Sequence, residues 1–253
     1  MLTEGIFRRL DLPGCVAVTT LRGEASGAYG EFNACHYTGD DPAHVDVCRL
    51  QLARYFGVGC DRLVIPRQTH SVDVKMVVAP VLSAGDLDAV DGLVSVERGV
   101  VLCVNTADCV PVLMCDPEAK IIAAVHSGWR GTVGRIAERA VAVMVAAGAD
   151  PSRIHAVMGP SICVGCFEVG RDVAEKFYSV FGSAAGGIVE ERGSDRPHVD
   201  LARAIAVTLR DAGVRDENIL LPDACSHCDG SPYFSARRHG VDSGRTLTAV
   251  MLR

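Results

Sequence analysis

Cysteine and histidine residues that could bind a metal or carry out nucleophilic catalysis lie in the middle of the chain. The segment Val101–Thr132 reads VLCVNTADCVPVLMCDPEAKIIAAVHSGWRGT. Its apolar runs predict three strands, with Cys109 and His126 among the polar residues at the strand ends. A cysteine and a histidine that meet allow two interpretations: a thiolate–imidazole pair for catalysis, or two ligands of a transition metal.

His70 adds a third candidate ligand. It lies in the polar segment Arg67-Gln68-Thr69-His70-Ser71, between two predicted strands, where an imidazole can be presented rather than buried. A His/Cys/His set with one open coordination position is typical of a catalytic zinc site. The spacing alone leaves the zinc site and the metal-free pair both open.

The hairpin between the second and third of these strands decides whether the cysteine and histidine meet. If Asp116–Lys120 forms a five-residue loop, counting back along the strands places Val110 opposite His126. Side chains alternate between the two faces of a strand, so Cys109 and His126 then point to opposite faces. We therefore predict a β-bulge at Pro111, which has no N–H to give to the ladder.

Four more cysteines form two C-x-x-C pairs, Cys163/Cys166 and Cys225/Cys228. Such pairs hold structural zinc in ribbon-type domains, which makes them a second candidate metal site. However, 58 residues separate the pairs, whereas the usual gap is about 15–20 residues. A redox dithiol lacks the thioredoxin-like βαβ context. The spacing therefore argues against the structural zinc site, and the missing context argues against the redox dithiol.

The secondary structure that must position these side chains follows from hydrophobic periodicity and turn residues. Four helices are predicted, with these boundary signals: Asp41-Pro42 to Gly57, the segment after Thr132, Asp172 with Glu175 as a capping box, and Asp200 to Gly213. Nine strands are predicted: Cys15–Thr20, Leu63–Ile65, Val74–Val78, Val100–Val104, Val110–Cys115, Ile121–Val125, Ile154–Met158, Ile219–Leu221 and Leu247–Leu252. Several strands run consecutively through residues 61–125, which favours a mixed or antiparallel α+β fold over a doubly wound sheet.

Composition narrows the function classes. With 253 residues, 49% hydrophobic and 22% charged, and no linker-like segment, residues 1–253 are expected to form a single globular domain. The formal net charge of -6 gives no electrostatic footprint for nucleic acid or an anionic membrane, so a small ligand is expected. The 11 cysteines are too few for a disulfide scaffold. With no signal-peptide pattern and no apolar run of about 18 residues, we expect a cytoplasmic protein.

Sequence blocks along essentially the whole chain resemble one family. The most specific are Thr106–Leu113 (TADCVPVL) and His126–Thr132 (HSGWRGT). Further matching segments are Arg22-Gly23, Asn33, Gly39–Pro42, Gln68–His70, Asp116-Pro117, Gly159–Ile162, Cys166–Gly170, Cys225 and Phe234–Arg238. Together they resemble the YfiH/YlmD family, also called the polyphenol oxidase or laccase-domain family.

The resemblance implies a fold, a metal and an activity. The fold is a layered α/β/β/α sandwich with mixed and antiparallel sheets, shared with a toxin-type cysteine hydrolase domain. The metal is usually zinc, held by the residues that match His70, Cys109 and His126, although the older laccase label implies copper. The activity is phosphorolysis of adenosine, inosine, guanosine or methylthioadenosine to the base and ribose 1-phosphate or its 5-methylthio form, with deamination of adenosine to inosine. The expected partners are therefore purine nucleosides and phosphate, bound by a monomer or small homo-oligomer.

Phosphorolysis needs an anion pocket, and arginine matches phosphate with paired donors. The candidate arginines are Arg67, Arg130, Arg237 and Arg238. We favour Arg130, because it follows His126 by four residues in a glycine-flanked loop, and the helix predicted near Thr132 would direct N–H groups at that loop.

Other polar residues are candidates for supporting roles. Asp108 precedes Cys109 and could accept a hydrogen bond near the metal or act as an acid or base, although a turn role fits as well. Gln68 and Asn33 could bind purine or ribose edges. Trp129 could stack on a purine or pack in the core.

Three alternatives to the zinc enzyme stay open. The first is a metal-free cysteine hydrolase or deamidase with Cys109 as nucleophile and His126 as base. The second is a copper polyphenol oxidoreductase, with Met114 as a further ligand; eight histidines with no His-x-His pair argue against a multicopper cluster. The third is a non-enzymatic binding protein, which would turn over no nucleoside.

Overall fold

The structure, a computed structural model, describes residues 5–24, 27–78, 84–193 and 196–253. The strands of this part of the chain are β1 (Phe7–Arg9), β2 (Cys15–Thr20), β3 (Leu63–Val64), β4 (Val74–Val77), β5 (Gly92–Ser95), β6 (Val101–Thr106), β7 (Val110–Asp116), β8 (Ile121–Ser127), β9 (His155–Met158), β10 (Val189–Glu190), β11 (His198–Val199), β12 (Ile219–Leu220) and β13 (Thr246–Leu252). The α-helices are α1 (Pro42–Phe56), α2 (Trp129–Val133), α3 (Ile136–Ala146), α4 (Arg171–Phe181), α5 (Leu201–Asp211) and α6 (Ala236–His239).

These strands form two large sheets and one small ribbon. The five-stranded sheet has the order β1-β2-β13-β6-β3, the six-stranded sheet has the order β12-β9-β7-β8-β5-β4, and β10 pairs with β11. Pairing is parallel for β3 with β6, β4 with β5 and β9 with β12, and antiparallel elsewhere in the two large sheets. The predicted mixed α+β class is therefore confirmed.

Three hydrophobic clusters define the layers. One cluster lies between the two large sheets and joins residues such as Leu102 to Leu113. A second packs the other face of the six-stranded sheet, through residues such as Val112, against α3, α4 and α5. A third packs the outer face of the five-stranded sheet against α1, with Leu52 and Phe56 pointing inward. The order of layers is α/β/β/α, as the resemblance implied.

Two of the four predicted helices begin and end where the capping residues placed them. In α1, the Asp41 carboxylate accepts from the N–H of Ala43 at 3.0 Å, and Gly57 closes the helix at φ 70°. In α5, Asp200 accepts from the N–H of Arg203 at 2.9 Å. Gly213 follows with φ 93°. A helix without these residues would leave terminal N–H and C=O groups without partners.

The other two predicted helices differ from the structure. The segment around Thr132 forms α2 from Trp129 and then breaks, because Arg135 adopts a left-handed conformation with φ 58°, before α3 begins. The capping box at Asp172 is wrong: the N-cap of α4 is Gly170, two residues earlier, and it has no side chain to donate or accept. No helix in the described ranges is long and apolar enough to cross a membrane.

All nine predicted strands are present within two residues of their predicted ends. The strands missing from the prediction are β1, β5, β10 and β11, which have two to four residues each. Such short runs carry too few side chains to show alternation. In β5, Gly92 begins the strand where a Cβ atom would lie 2.8 Å from Val74 Cγ2, so glycine allows the close approach of β4.

The hairpin between β7 and β8 differs by one residue from the predicted register. Asp116 belongs to the ladder, so the loop has four residues rather than five, and Pro111 rather than Val110 pairs with His126. The ladder is regular at that pair, so the predicted bulge is wrong. A slip of one residue exchanges the faces of a strand. Continued one step past the ladder, the observed register puts Cys109 and His126 on one face without a bulge.

The side chain of Asp116 explains why the hairpin closes early. Its Oδ1 accepts from the N–H groups of Glu118 and Ala119, each at 3.0 Å, and its Oδ2 accepts from the N–H of Asp150 at 2.9 Å and from Arg153 at 3.2 Å. The side chain is fully buried. Burial alone would raise the pKa of this carboxyl, but the hydrogen bonds from Ala119, Asp150 and Arg153 outweigh it and lower the pKa.

We expect Asp116→Ala to lower the free energy of unfolding by about 2–3 kcal/mol, because several N–H groups lose a charged acceptor. Since the folded pKa of Asp116 lies below its unfolded value, the loss is present above about pH 4 and shrinks as the pH falls through the folded pKa. Urea unfolding of both proteins as a function of pH measures this difference.

The control is Asp46→Ala, which removes an exposed carboxylate from α1 and should change stability by less than about 0.5 kcal/mol. A loss for Asp116→Ala that stays constant down to pH 2 would contradict the charged-acceptor explanation.

Candidate active site

Three predicted site residues meet at one end of the two-sheet core. His70, Cys109 and His126, called here the His-Cys-His cluster, have ligand atoms that all lie within 4.8 Å of one another. Cys109 Sγ lies 3.7 Å from His70 Nε2, and the two imidazole ring centroids are 4.9 Å apart. His126 is buried, Cys109 is partly buried and His70 is exposed. The sequence prediction that these three residues converge is met by the geometry, while their roles stay predictions.

His126 is held by Asp91, a residue that the sequence analysis missed. The Nδ1 atom of His126 lies 2.6 Å from Asp91 Oδ1, and the backbone N–H of His126 donates to the Asp91 carbonyl at 2.8 Å. Because a carboxylate only accepts, Nδ1 carries the proton, and Nε2 is left to face the cluster. A carboxylate that orients a histidine in this way is common around metal sites.

The same carboxylate shapes the loop that carries His70. Asp91 accepts from the backbone N–H groups of Thr69, His70 and Ser71 at 3.1, 3.0 and 2.8 Å, and from the Ser71 hydroxyl at 2.8 Å. His70 has a left-handed backbone with φ 62°, a conformation that costs energy for a residue with a Cβ atom. The hydrogen bonds to Asp91 offset this cost and fix the backbone from which the His70 side chain extends.

Cys109 reaches the cluster through a bend and a glycine. Asp108 has φ 90°, which turns the chain just before β7. Across the hairpin, Gly128 leaves space that a side chain would fill: a Cβ atom there would lie 2.8 Å from Cys109 Sγ and 2.9 Å from His70 Cδ2. Glycine at position 128 is therefore required by the cluster itself.

The charges of the cluster stabilise one another. Burial raises the pKa of Asp91, but hydrogen bonds from His126 and Ser71 outweigh it and bring the pKa to about 2. Burial also disfavours the Cys109 thiolate, yet the positive charge of His126 and contacts with both imidazoles lower the pKa of Cys109. The pKa of His126 is raised by Cys109 and Asp91 against the effect of burial. The arrangement favours a cysteine in the thiolate form, which is both the nucleophilic and the metal-binding form.

The donor set fits a zinc-type metal ion. One sulfur and two imidazole nitrogens are ligands that zinc accepts, and three protein ligands leave one tetrahedral position open. Because Nδ1 of His126 faces Asp91, its Nε2 faces the cluster, and this orientation and the space at Gly128 are both consistent with an ion among the three side chains.

A cavity of about 640 Å³ opens over the cluster. This volume lies in the range of small-molecule sites. Besides the cluster, its wall includes Tyr37, Gln68, Asn105, Asp108, Arg237 and Arg245. Three of these residues, Gln68, Asp108 and Arg237, are sequence candidates.

Gln68 and Asp108 contribute to the wall through structural hydrogen bonds. The Gln68 amide donates to the Asn105 carbonyl and accepts from the Asn105 N–H, both at 2.8 Å. Asp108 accepts from the Ser226 hydroxyl at 2.8 Å and from the N–H of Arg237 at 2.7 Å. Both side chains therefore hold neighbouring groups in place, and the contacts of the Asp108 carboxylate are with residues distant in sequence rather than within its own turn.

The remaining polar candidates are not among the residues that line the cavity. Arg67 pairs with Asp88 at 2.9 Å. Arg238 binds the carbonyl of His227. Asn33 is fully buried, and its amide binds Thr38 and Asp40 at 3.0 and 2.8 Å.

Arg130, the arginine that the sequence favoured, is exposed on α2. Its guanidinium carbon lies 4.3 Å from the centroid of the Trp129 ring, and Trp129 itself packs partly buried against the helical layer. Neither side chain is among those that line the cavity. Because α2 begins at Trp129, these side chains lie along the helix surface, and phosphate binding by Arg130 stays a prediction.

Tyr37, Asn105 and Arg245 are cavity residues that the sequence analysis missed. The Asn105 amide is buried, and its oxygen and nitrogen make no hydrogen bond of ordinary geometry among the described residues, although the Tyr37 hydroxyl lies close enough to interact. Asn105 is a polar residue near the end of an otherwise apolar strand, and this position could have marked it as a candidate site residue. Tyr37 and Arg245 lie in loops far from the central motif, and nothing local marks them.

The two C-x-x-C pairs also come together, which the sequence spacing argued against. The four sulfur atoms of Cys163, Cys166, Cys225 and Cys228 lie within 4.8 Å of one another. A long sequence gap is no barrier here, because a parallel bridge between Ser161 and Cys225 joins the two loops.

The fold and the site together define a class: an α/β/β/α sandwich with a candidate metal centre of two histidines and one cysteine under an open cavity. Residues 15–253 match the family model described as "Multi-copper polyphenol oxidoreductase laccase". The chain belongs to this laccase-domain family, which confirms the resemblance inferred from the sequence.

Individual relatives and structures agree with this assignment. The chain is 45% identical over 246 residues to "Adenosine deaminase RL5" from an unknown prokaryotic organism, covering 94% of each chain. It is 40% identical to "Purine nucleoside phosphorylase" of Deinococcus radiodurans, over 92% of this chain and 87% of that one. The crystal structure of YfiH from Bacillus licheniformis matches with a TM-score of 0.92 and 25% identity, covering 100% of this chain and 98% of that one. YlmD from Geobacillus stearothermophilus matches with a TM-score of 0.90 and 29% identity, covering 99% and 97%.

We expect Asp91→Asn to weaken Zn²⁺ binding at the His-Cys-His cluster by about 10–100-fold, because the amide no longer fixes the proton of His126 on Nδ1. Competition with a chromophoric chelator measures the Zn²⁺ affinity. Zn²⁺ that Cys109→Ala still binds is subtracted, so that only the ion at the His-Cys-His cluster is compared.

The matched control is Asp73→Asn, which neutralises an exposed carboxylate two residues beyond Ser71. Equal Zn²⁺ affinities for Asp91→Asn and wild type would show that the carboxylate does not orient the ligand.

Proposed function

We propose that this protein is a zinc-dependent purine nucleoside enzyme, acting through residues 1–253 as one catalytic domain. It cleaves nucleosides by phosphorolysis and deaminates adenosine. The observation that carries the proposal is the convergence of His70, Cys109 and His126 beneath an open cavity with a cationic, polar wall. The printed names of the relatives, adenosine deaminase and purine nucleoside phosphorylase, support the substrate class.

The proposed zinc ligands are His70, Cys109 and His126. When bound, zinc supplies a Lewis acid at the base of the cavity, which lowers the pKa of water and polarises substrate atoms. The chain's own contribution is to keep Nδ1 of His126 protonated through Asp91 and to keep Cys109 in the thiolate form. Copper would follow from the family description, but eight histidines without a His-x-His pair do not suit a multicopper centre.

Both reactions share one site but differ in the second substrate. In phosphorolysis, a phosphate oxygen forms a bond to C1′ as the C1′–N bond breaks, and the base leaves with a proton. In deamination, water adds at C6 of adenine, and ammonia leaves to give inosine. The first reaction needs an anion site near the ribose, and the second needs polar groups that hold the base.

Asn105 and Tyr37 are the proposed contacts for the base. A buried amide without an ordinary hydrogen-bond partner gains most from a ligand that supplies one. An amide offers both a donor and an acceptor to a purine edge, and the Tyr37 hydroxyl offers either. Gln68 fixes the backbone on both sides of this contact, since it binds the N–H and the C=O of Asn105.

Arg237 is the proposed phosphate contact in place of Arg130. It lines the cavity, and its backbone is fixed by Asp108. One guanidinium nitrogen donates to the Glu168 carbonyl at 3.1 Å, and the guanidinium carbon lies 5.8 Å from the Phe167 ring centroid. Among the described residues, no carboxylate pairs with this guanidinium. Arg245 also lines the cavity, but its guanidinium donates to the carbonyls of Val241, Ser243 and Gly244.

The metal-free cysteine hydrolase is the second candidate. The contact of 3.7 Å between Cys109 Sγ and His70 Nε2 and the lowered pKa of Cys109 favour it. Iodoacetamide separates the two candidates: a free thiolate is alkylated at once with loss of activity, whereas a metal-bound thiolate is protected until a chelator is added.

We expect purified protein incubated with adenosine to give adenine and ribose 1-phosphate only when phosphate is present, and inosine with or without phosphate. Cys109→Ala should lose both activities by at least about 100-fold, since it removes a metal ligand. Liquid chromatography of the products measures both reactions in one assay.

Cys60→Ala is the control for this experiment, because Cys60 is exposed in a short turn at Cys60–Arg62 outside the cavity. Its rates should equal those of wild type. No product from wild type loaded with Zn²⁺, at any phosphate concentration, would refute the proposed function.

We expect Arg237→Ala to raise the KM for phosphate about 10-fold or more, because it removes a charged hydrogen bond of about 1.5–3 kcal/mol. Its deamination rate should change much less, since that reaction needs no anion. Initial rates at varied phosphate and fixed inosine measure the effect.

Arg54→Ala, on the exposed face of α1, controls for the loss of one positive charge. If Arg130→Ala instead raises the phosphate KM and Arg237→Ala does not, the phosphate contact belongs to α2.

A further inference from the structure

Two loops that are distant in sequence lie side by side near the cavity, and each carries two cysteine side chains. Cys163 and Cys166 lie between β9 and α4, and Cys225 and Cys228 lie between β12 and α6. We call these residues the four-cysteine cluster. Its sulfur atoms all lie within 4.8 Å of one another, and Cys228 Sγ lies 4.0 Å from Cys163 Sγ and 3.7 Å from Cys166 Sγ.

These separations suit a metal ion and do not suit disulfide bonds. Four sulfurs around zinc at about 2.3 Å form a tetrahedron with edges of about 3.8 Å. Bonded sulfurs in a disulfide lie about 2.05 Å apart. Two of the six Sγ–Sγ distances, 3.7 and 4.0 Å, are close to the edges of this tetrahedron, and the others do not exceed 4.8 Å. A cluster of several irons would hold its cysteines further apart, because bridging sulfides lie between them.

The backbone around the cluster points N–H groups at sulfur. Cys225 Sγ accepts from the N–H of Cys163 at 3.3 Å and from the N–H of His227 at 3.4 Å. Cys166 N–H donates to the Cys163 carbonyl at 2.9 Å, which closes a tight turn around the first pair. Such donors stabilise the negative charge of thiolates, and a tetrathiolate site carries excess negative charge that needs them.

We propose that Cys163, Cys166, Cys225 and Cys228 bind one structural zinc ion, separate from the His-Cys-His cluster. Four sulfur ligands complete the tetrahedron, so this site leaves no position for substrate or water. The expected ligand is therefore the metal alone, and the expected role is to cross-link two loops.

The cross-link supports the wall of the cavity. Each loop contacts Asp108 through a residue that adjoins a cysteine: the N–H of Ile162 donates to the Asp108 carbonyl at 2.9 Å, and the Ser226 hydroxyl donates to the Asp108 carboxylate at 2.8 Å. Asp108 in turn bends the chain before Cys109. The zinc ion thus holds Ile162 and Ser226, the two residues that contact Asp108, in fixed positions. The backbone bridge from Ser161 to Cys225 also joins the two loops.

The test counts zinc in full-length protein that lacks the other candidate site. Metal analysis of Cys109→Ala should give one equivalent of zinc per chain, and Cys109→Ala/Cys228→Ser should give none. Cys109→Ala/Cys60→Ser is the matched control and should keep its equivalent, because Cys60 lies outside both clusters.

A second measurement covers the case in which the double variant fails to fold. Cys109→Ala depleted of zinc and loaded with Co²⁺ should show the intense visible bands of tetrahedral cobalt with four thiolates, and these bands should disappear on addition of one equivalent of Zn²⁺. Chelation of the metal should lower the thermal unfolding midpoint of Cys109→Ala, and added Zn²⁺ should restore it.

Three results would overturn the inference. The first is a Cys109→Ala protein that contains no zinc and in which all four cluster cysteines are free thiols. The others are two disulfides among these four cysteines by mass spectrometry, and a tightly bound iron in place of zinc. None of these results depends on turnover of a nucleoside. A protein that retains this zinc but processes no nucleoside would refute the proposed function alone, and an active protein without it would refute this inference alone.

Discussion

One buried carboxylate, that of Asp91, connects the parts of the candidate active site. It lies 2.6 Å from Nδ1 of His126 and accepts from the backbone of residues 69–71. A buried charge is costly unless its acceptor sites are filled, and here the backbone and side-chain donors fill them. The same bonds that offset the cost also fix the strained backbone of His70. If this carboxylate were lost, both imidazoles would lose their positions at the same time.

Backbone geometry supplies the third member of the cluster. The cysteine cannot be placed by a regular strand alone, since Cys109 lies just before β7 begins. The hairpin register puts it on the face of His126, the left-handed conformation of Asp108 turns it inward, and the absence of a side chain at Gly128 leaves room for sulfur. The cluster therefore combines one electrostatic constraint with one steric constraint, and neither is sufficient without the other.

The sequence predicted those features that repeat locally or that match a specific family signature. Alternation located the strands, and capping residues such as Asp41 and Asp200 located two helices. The hairpin register failed because Asp116 looks like a turn residue locally, whereas its partners Asp150 and Arg153 exist only in three dimensions. The place of Arg237 in the cavity wall also depends on three-dimensional contacts: proximity in sequence to His126 favoured Arg130, whereas distant loops contribute much of the wall.

The two cysteine-containing sites show how one residue type serves two kinds of chemistry. At the His-Cys-His cluster, three donors face a cavity, and a tetrahedral ion held by them would have one open coordination position. At the four-cysteine cluster, the sulfurs close on one another beside two loops that lack regular strands of their own. Both sites meet at Asp108, which turns the chain into Cys109 and accepts the hydrogen bond of Ser226. If the proposed zinc ion orders the two loops, Asp108 is the residue through which that order would reach the His-Cys-His cluster, because Asp108 accepts from Ser226 and directly precedes Cys109.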